Sequence, residues 1–447
     1  MRSTPSALLS QSVPRYTSYP TAPHFHAGID CETARRWLGD LPREEPVSLY
    51  VHIPYCDRLC WFCACHTKQT RQYAPVAAYL EALLCEVATI GRLIKAPVKA
   101  IHFGGGSPTM LTPEDMKRLG EALKGAFDCA PDLSLSVEMD PNDMDEARFD
   151  ALAEISMSRA SLGIQDFDPV VQKTINRIQS LEDTAWVVEG VRARGARSVN
   201  FDLLYGLPHQ TVAGVGTTIR QALSLKPDRL ALFGYAHVPW FKKHQTMIDE
   251  ASLPDAAARL AQAEEARRII LAAGYRAIGI DHFALPADNM AIAAENGRLR
   301  RNFQGYTDDS CDSLIGLGSS SISQLPQGYL QTMPATGEYM RLVPAGGLAT
   351  VRGTALNDDD HARGWVIERL MCDFGFDGQE VTRRFGANGQ AIFQTANVLA
   401  IGNDLGFRRR GDRFELDPES AHRTARLVAA EFDAYLGTGA ARHSVAM

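Results

Sequence analysis

From residue 47 to about residue 280 the chain repeats one unit: a short apolar run, then a longer stretch with apolar residues at helical spacing. This alternation constrains the fold more than any other feature. Parallel strands need long crossover connections, and helices are the usual ones. The short runs fall at 47–53, 99–103, 133–138, 159–164, 198–204, 229–235 and 275–280. Helical stretches fill 75–93, 113–127, 183–194, 212–223 and 255–273, the first placing Val76, Tyr79, Leu80, Leu83 and Val87 on one side. Thr112-Pro113-Glu114-Asp115 combines an N-cap, a proline at the first helical position and early acids, and Pro254-Asp255 is a similar start signal. At least six βα units predict an α/β fold, a partial (β/α)6-type parallel barrel. An open doubly wound sheet has the same periodicity. Either architecture places reactive groups at the carboxyl ends of the strands.

The flanks read differently. Residues 1–36 form an irregular N-terminal arm with Pro14, Pro20 and Pro23. The barrel domain is expected over 37–340. Beyond it the alternation stops and Pro344-Ala345-Gly346-Gly347 punctuates the chain. Helical patterns at 360–373, 389–399 and 420–436, with a strand-like 413–416, predict a mainly helical C-terminal domain over 341–447. A formal charge of −7 gives no global reason to expect nucleic acid. Residues 1–12 lack an apolar signal region, and no run reaches the roughly 18 apolar residues of a membrane span. The expectation is a cytoplasmic monomer with no membrane partner.

Cytoplasmic thiols stay reduced, so the nine cysteines need another explanation than disulfides. Five are scattered and read as small buried hydrophobes. The other four, Cys56, Cys60, Cys63 and Cys65, fall within ten residues, on a loop directly after the first strand. Three of them in a C-x3-C-x2-C array can wrap one iron–sulfur cluster and leave one iron without a protein ligand. Four thiolates could instead saturate a structural zinc, although such sites usually pair two C-x2-4-C units across a separation. A redox C-x-x-C at Cys60 and Cys63 is a third reading. After the second strand comes Ile101-His102-Phe103-Gly104-Gly105-Gly106-Ser107-Pro108-Thr109, whose glycines let a ligand approach the backbone.

The cysteine array after a first βα strand, followed one unit later by this glycine turn, resembles the radical S-adenosylmethionine superfamily. Within it the chain is similar to the oxygen-independent coproporphyrinogen III oxidases of haem biosynthesis. The strings that carry this likeness include Pro14-Arg15-Tyr16-Thr17-Ser18-Tyr19-Pro20-Thr21, Leu49-Tyr50-Val51-His52-Ile53-Pro54 and Gly163-Ile164-Gln165-Asp166-Phe167. Others are Asn200-Phe201-Asp202-Leu203-Leu204-Tyr205-Gly206-Leu207-Pro208, Tyr235-Ala236-His237-Val238-Pro239 and Asn302-Phe303-Gln304-Gly305-Tyr306. Cys65 supplies a fourth cysteine that the related haem-chaperone branch usually replaces with phenylalanine.

The resemblance implies a 4Fe-4S cluster on Cys56, Cys60 and Cys63, with Cys65 outside the ligand set. It implies S-adenosylmethionine contacts from Tyr50, Phe62, Gly105, Gly106, Ser107, Glu138, Gln165, Arg177, Asp202, Ala236 and Ile322, and a reacting site of Tyr50, Cys65, Glu138, Phe303 and Gln304. The implied reaction is oxidative decarboxylation of the ring A and B propionates of coproporphyrinogen III to vinyl groups, giving protoporphyrinogen IX. It proceeds through a 5′-deoxyadenosyl radical and uses two S-adenosylmethionines per product. A reductant protein such as flavodoxin or ferredoxin and an unidentified electron acceptor complete the partners. Arg15, Arg298, Arg300 and Arg301 are candidates for the anionic substrate. Ser107 stands where the family often has threonine, and Ile178 where a polar residue is common. A haem-binding or haem-delivery protein on the same scaffold is the competing class.

Overall fold

The computed structural model describes residues 13–402 and 405–438. Helix α1, Cys31–Gly39, precedes the first strand and is capped by Asp30, whose side chain accepts from the Thr33 amide. Six βα-type strands follow: β1 (Val47–Ile53), β2 (Val98–Gly105), β3 (Cys129–Met139), β4 (Arg159–Gln165), β5 (Ser198–Tyr205) and β6 (Arg229–Gly234). They alternate with α2 (Ala74–Leu93), α3 (Pro113–Ala126), α4 (Glu146–Glu154), α5 (Leu181–Ala193), α6 (Val212–Ser224) and α7 (Ala256–Ala272). Both expected start signals operate. Thr112 caps α3 through the Asp115 amide, and Asp255 caps α7 through the Ala258 amide.

β1 to β6 lie side by side and parallel. Their side chains alternate cleanly. Leu49, Val51, Ile53, Ile101, Phe103, Leu135, Val137, Leu162, Phe201 and Leu203 form the solvent-excluded core shared with the helices. Tyr50, His52, His102, Ser136, Glu138, Ser161, Asn200 and Asp202 occupy the alternate positions and face the concave side. Successive helices pack on one another in a single layer, so the sheet is wound one way and the doubly wound alternative does not hold. α2 is long and apolar enough, by length and composition, to cross a membrane. Here Val76, Tyr79, Leu80, Leu83, Val87 and Ile90 lie buried in the barrel core.

The barrel does not close. β7 (Arg276–Ile278) and β8 (His282–Ala284) form a hairpin antiparallel to β6. The run at 275–280, expected to continue the βα series, is therefore an edge strand, because no crossover helix follows it. On the far side β9 (Ser313–Leu317) is parallel to β1, and β10 (Ile322–Leu325), β11 (Gly328–Thr332) and β12 (Thr350–Ala355) extend the sheet antiparallel. The twelve strands run β12-β11-β10-β9-β1-β2-β3-β4-β5-β6-β8-β7. The sheet thus continues past residue 340, where the sequence alternation stops, because its last strands are hairpins rather than βα units.

The C-terminal region has helices α8 (Asp358–Asp373), α9 (Gly378–Gly402, bent at Gly386) and α10 (Ala421–Ala430). It also has a three-stranded antiparallel sheet of β13 (Gly375–Asp377), β14 (Phe407–Arg410) and β15 (Arg413–Leu416), of which only β15 is foreshadowed in the sequence. Phe376, Phe407, Phe414 and Phe432 fill its core, and the N-terminal arm contributes Val13, Tyr16 and Tyr19 to the same cluster. The Tyr16 hydroxyl donates to Asp433, and the Tyr19 hydroxyl accepts from the Ala434 amide, both at 3.0 Å.

Candidate active site

At the carboxyl end of the strands a cavity is lined by Cys56, Cys60, Cys63, Cys65, Phe62, Gly105, Gly106, Ser107, Glu138, Gln165, Arg177 and Asp202. These twelve expected residues come from five loops separated by up to about 150 positions, and parallel winding brings them together. The cysteine loop is pinned to the glycine turn, since the Gly106 amide donates to the Ile53 carbonyl and the Ser107 amide to the Tyr55 carbonyl, both at 2.8 Å. Gly105 has φ +113°, and a Cβ there would lie 2.6 Å from the His52 ring. At Gly106 a Cβ would lie 2.5 Å from the Tyr55 carbonyl. Neither position can take a side chain without moving its neighbours. Gln165, at φ +65°, ends β4 in the left-handed region and turns into the cavity wall.

Charge is concentrated on the cavity floor. Arg177 is buried. Its Nη1 reaches Asp140 at 3.0 Å and the Cys60 Sγ at 3.6 Å, and its Nη2 donates to the Gly163 carbonyl at 2.6 Å. Its Nε is buried without a hydrogen-bond partner among the described residues. Glu138 accepts from His102 Nε2 at 3.0 Å and from the Gly105 amide at 3.2 Å. Burial works to raise the Glu138 carboxyl, but the bond and charge of His102 outweigh it, so the group lies below its usual value. Asp202 is pushed up to about 6, chiefly by burial and then by Glu138. Burial raises the Cys56 and Cys60 thiols, with Arg177 opposing it at Cys60. The Cys63 thiol is drawn down, mainly by its hydrogen bond from Cys65.

Other expected residues lie outside this lining. Tyr50 stacks on His102 with ring centroids 5.8 Å apart and meets His52 Nδ1 through its hydroxyl at 3.1 Å, one shell behind Glu138. The Ala236 carbonyl accepts from Gln245, Ile322 sits on β10 opposite Gln331, and Phe303 packs edge-on against Tyr329. Gln304 donates its amide to Asn302 Oδ1 in a short hairpin. Arg300 is held by Glu368 and Asp312, and Arg298 is exposed. Arg15 donates to the Gly234 carbonyl, and Arg301 Nη2 to the Arg15 carbonyl. Nothing in the sequence pointed to Arg58, Met139 or Asp140 in the lining. Asp140 follows Glu138 by two residues at the end of β3, and that adjacency is the one signal that could have pointed to it.

The donor set bears on the metal readings. A tetrahedral zinc site draws its sulfurs to within about 4 Å of one another. Among the described residues, the one group of three or more His, Cys, Asp or Glu whose donor atoms all lie within 4.8 Å is Asp57, Asp140 and Asp143, which Arg58 partly neutralises. Cys56, Cys60 and Cys63 face one cavity, and their C-x3-C-x2-C array can wrap a cluster larger than one ion. The residues therefore fit an iron–sulfur cluster, and the side-chain-free glycine turn beside it fits a small bound cofactor.

Comparisons with known proteins agree with this geometry. The Radical SAM superfamily model matches residues 50–222. An oxygen-independent coproporphyrinogen III oxidase of Bradyrhizobium diazoefficiens is 48% identical, covering 98% of each chain. One from Paracoccus denitrificans is 45% identical over the same shares. The solved structure of a coproporphyrinogen III oxidase from Escherichia coli, described as a radical SAM enzyme, superposes with a TM-score of 0.90 at 34% identity, covering 95% of this chain and all of that one. With likeness of this extent along nearly its whole length, the chain belongs to the oxygen-independent coproporphyrinogen III oxidase family of the Radical SAM superfamily.

Proposed function

We propose that this chain is an oxidoreductase that converts the ring A and B propionates of coproporphyrinogen III to vinyl groups without O2, giving protoporphyrinogen IX. The supporting observation is that Cys56, Cys60, Cys63, the glycine turn and Arg177 face one cavity at the carboxyl ends of the strands. Cys56, Cys60 and Cys63 would hold the 4Fe-4S cluster. With S-adenosylmethionine it supplies a 5′-deoxyadenosyl radical that removes a hydrogen atom from a propionate β-carbon. Each propionate then loses CO2 and one electron, so two S-adenosylmethionines are consumed per product.

The chain's own groups orient and shield this chemistry. Gly105 and Gly106 leave room for the cofactor against the backbone. Glu138, fixed by His102 and the Gly105 amide, presents an ionised acceptor for an ammonium or hydroxyl group. Arg177 places a cation beside Cys60, and Phe62 and Gln165 close the wall. Ser107, Asp202, Ala236 and Ile322 complete the assigned cofactor contacts, and Tyr50, Cys65, Phe303 and Gln304 complete the reacting site. Arg301, whose Nε and Nη1 are buried without a hydrogen-bond partner among the described residues, and neighbouring Arg15 receive the propionates. The enzyme acts as a cytoplasmic monomer with an N-terminal arm, a barrel whose sheet runs on through β12 and a C-terminal region beyond it, with an external reductant and an acceptor not yet identified. The test is anaerobic incubation with S-adenosylmethionine, reductant and coproporphyrinogen III, measuring 5′-deoxyadenosine and the vinyl product. Cofactor cleavage without vinyl formation would overturn the substrate assignment.

A further inference from the structure

Four arginines from four different elements meet at one edge of the barrel mouth. Arg15 lies on the arm, Arg259 on α7, Arg301 on the hairpin strand Arg300–Asn302 and Arg426 on α10. Two short stretches of backbone draw them together. Arg426 donates to the Val13 and Pro14 carbonyls at 2.5 and 3.2 Å, and Arg301 Nη2 to the Arg15 carbonyl at 3.2 Å. Arg15 Nη2 donates to the Gly234 carbonyl at 3.3 Å, and Arg259 Nη2 to the Tyr235 carbonyl at 2.8 Å. A carbonyl satisfies an N–H group but cancels no full charge. Burial first, then repulsion from Arg15 and Arg301, draws Arg426 down to about 10, although Asp281 opposes the shift.

The acids around the four are already engaged. Asp281 meets His282 Nδ1 at 2.7 Å, Asp433 accepts from the Tyr16 hydroxyl, Glu368 accepts from Arg300 and the Arg301 amide, and Asp255 caps α7. Arg301 Nε and Nη1 stay buried without a hydrogen-bond partner among the described residues, while the guanidinium lies over the Tyr306 ring at 4.4 Å. Buried donors in this state mark a place for an acceptor. Arg15 is exposed, so the cluster opens to solvent. It also adjoins the cavity. Gly234 ends β6, the neighbour of β5, whose Asp202 lines the cavity, and Asp281 leads into β8 on the far side of β6. At about 4.8 Å per strand, Gly234 and Asp281 lie on the order of 5–10 Å from Asp202 along one rim. Phe233, half-buried and edge-on to His282 at 5.4 Å, offers that rim an apolar surface.

We propose that Arg259 and Arg426 join Arg15 and Arg301 in one site for the neighbouring carboxylates of rings C and D, the two propionates that do not react. The inference rests on the proposed function and names the part of its substrate that this cluster holds. In coproporphyrinogen III the ring C and D propionates flank one bridging carbon, whereas those of rings A and B do not. A pair of adjacent carboxylates needs several cations in one place, and planar guanidinium groups bind a carboxylate through two parallel bonds. Turning the macrocycle over exchanges ring C with ring D and ring A with ring B. The same carboxylate pair can therefore return to the same arginines after the turn, while first one reacting ring and then the other faces the cavity. Binding at the unreactive edge thereby positions the reactive one.

The test titrates three porphyrins into anaerobic holoenzyme by fluorescence. They are coproporphyrin III, protoporphyrin IX, which keeps only the ring C and D propionates, and the uncharged tetramethyl ester of coproporphyrin III. Arg259→Gln and Arg426→Gln should each weaken binding of both acids at least fivefold and in parallel, and leave the ester unaffected. Arg426→Lys, which keeps the charge, should recover part of the loss. The preference of wild type for coproporphyrin III over the type I isomer, which has no adjacent pair of propionates, should shrink in both glutamine variants. In turnover these variants should release more of the mono-vinyl intermediate. Unchanged affinity for coproporphyrin III overturns the proposal. So does a loss confined to coproporphyrin III with protoporphyrin IX unchanged, which would assign the arginines to rings A and B. An equal loss for the ester overturns it as well, since that would make their role structural. Should Arg426→Gln fail to fold, Arg259→Gln decides the outcome. Wild-type holoenzyme that binds both acids but makes no vinyl product would count against the function, and the comparison of porphyrins would still report on the arginines.

Discussion

Replacing Arg177 with alanine removes three contacts at once: the 3.0 Å ion pair to Asp140, the bond to the Gly163 carbonyl, and the cation beside Cys60. Arg177 and Asp140 are each only 8% exposed, so the stranded Asp140 carboxylate stays in a poorly solvated site. Breaking one partner of such a pair costs about 3–5 kcal/mol. At about 2 cal/mol/K of unfolding entropy per residue, a cooperative chain of 447 residues loses only about 1 °C of Tm per kcal/mol. The expected shift is therefore about 3–5 °C by anaerobic calorimetry. The pairing makes a sharper demand: Asp140→Asn should recover part of that loss in the Arg177→Ala background. The Cys60 thiol, freed of its cation, should also titrate higher in apoprotein, slowing its alkylation near neutral pH. A Tm within 1 °C of wild type, or strictly additive losses in the double variant, would refute the reasoning.

Three other outcomes follow from the geometry. Cys65→Ser should retain iron and sulfide after reconstitution, whereas serine at Cys56, Cys60 or Cys63 should lose most of it, as read by metal analysis. Gly105→Ala forces a Cβ into the His52 ring at a left-handed φ, at a cost of about 2–5 kcal/mol; it should weaken S-adenosylmethionine binding by equilibrium dialysis while leaving iron content near normal. Glu86, which accepts from the Tyr339 hydroxyl and the Gly318 amide inside α2, is pushed up to about 7 by burial. An acid raised on folding is harmless below its unfolded value near 4.5 and destabilises as pH rises through 7, by about 3 kcal/mol at 1.36 kcal/mol per unit. Glu86→Gln should accordingly flatten the fall in Tm between pH 5 and pH 8.

The strands that carry the site were legible because each buries one face under helices and turns polar residues inward. Val47–Ile53 is read to the residue, and the cysteine and glycine loops stand out because their spacing is itself the chemistry. The antiparallel edges were not legible. β9 and β11 are five residues each and buried throughout, so no alternation marks them, and β14 reads as a run of three arginines behind one phenylalanine. The arginine roles were equally hidden. Arg300 is neutralised by Glu368 from a helix 68 positions away, and Arg177 finds Asp140 across 37, pairings that exist only after the chain is folded.

The arm that lends Val13, Tyr16 and Tyr19 to the C-terminal core ties the first described residues to nearly the last. During synthesis the barrel strands can assemble as they emerge, but Val13, Tyr16 and Tyr19 have no apolar core to enter until β13–β15 and α10 have been made. Until then these three side chains stay uncovered, and the C-terminal unit can complete its interior only by recruiting them. Ribosome-bound chains that stop near residue 350 should therefore expose the arm to protease, and release of the finished chain should protect it.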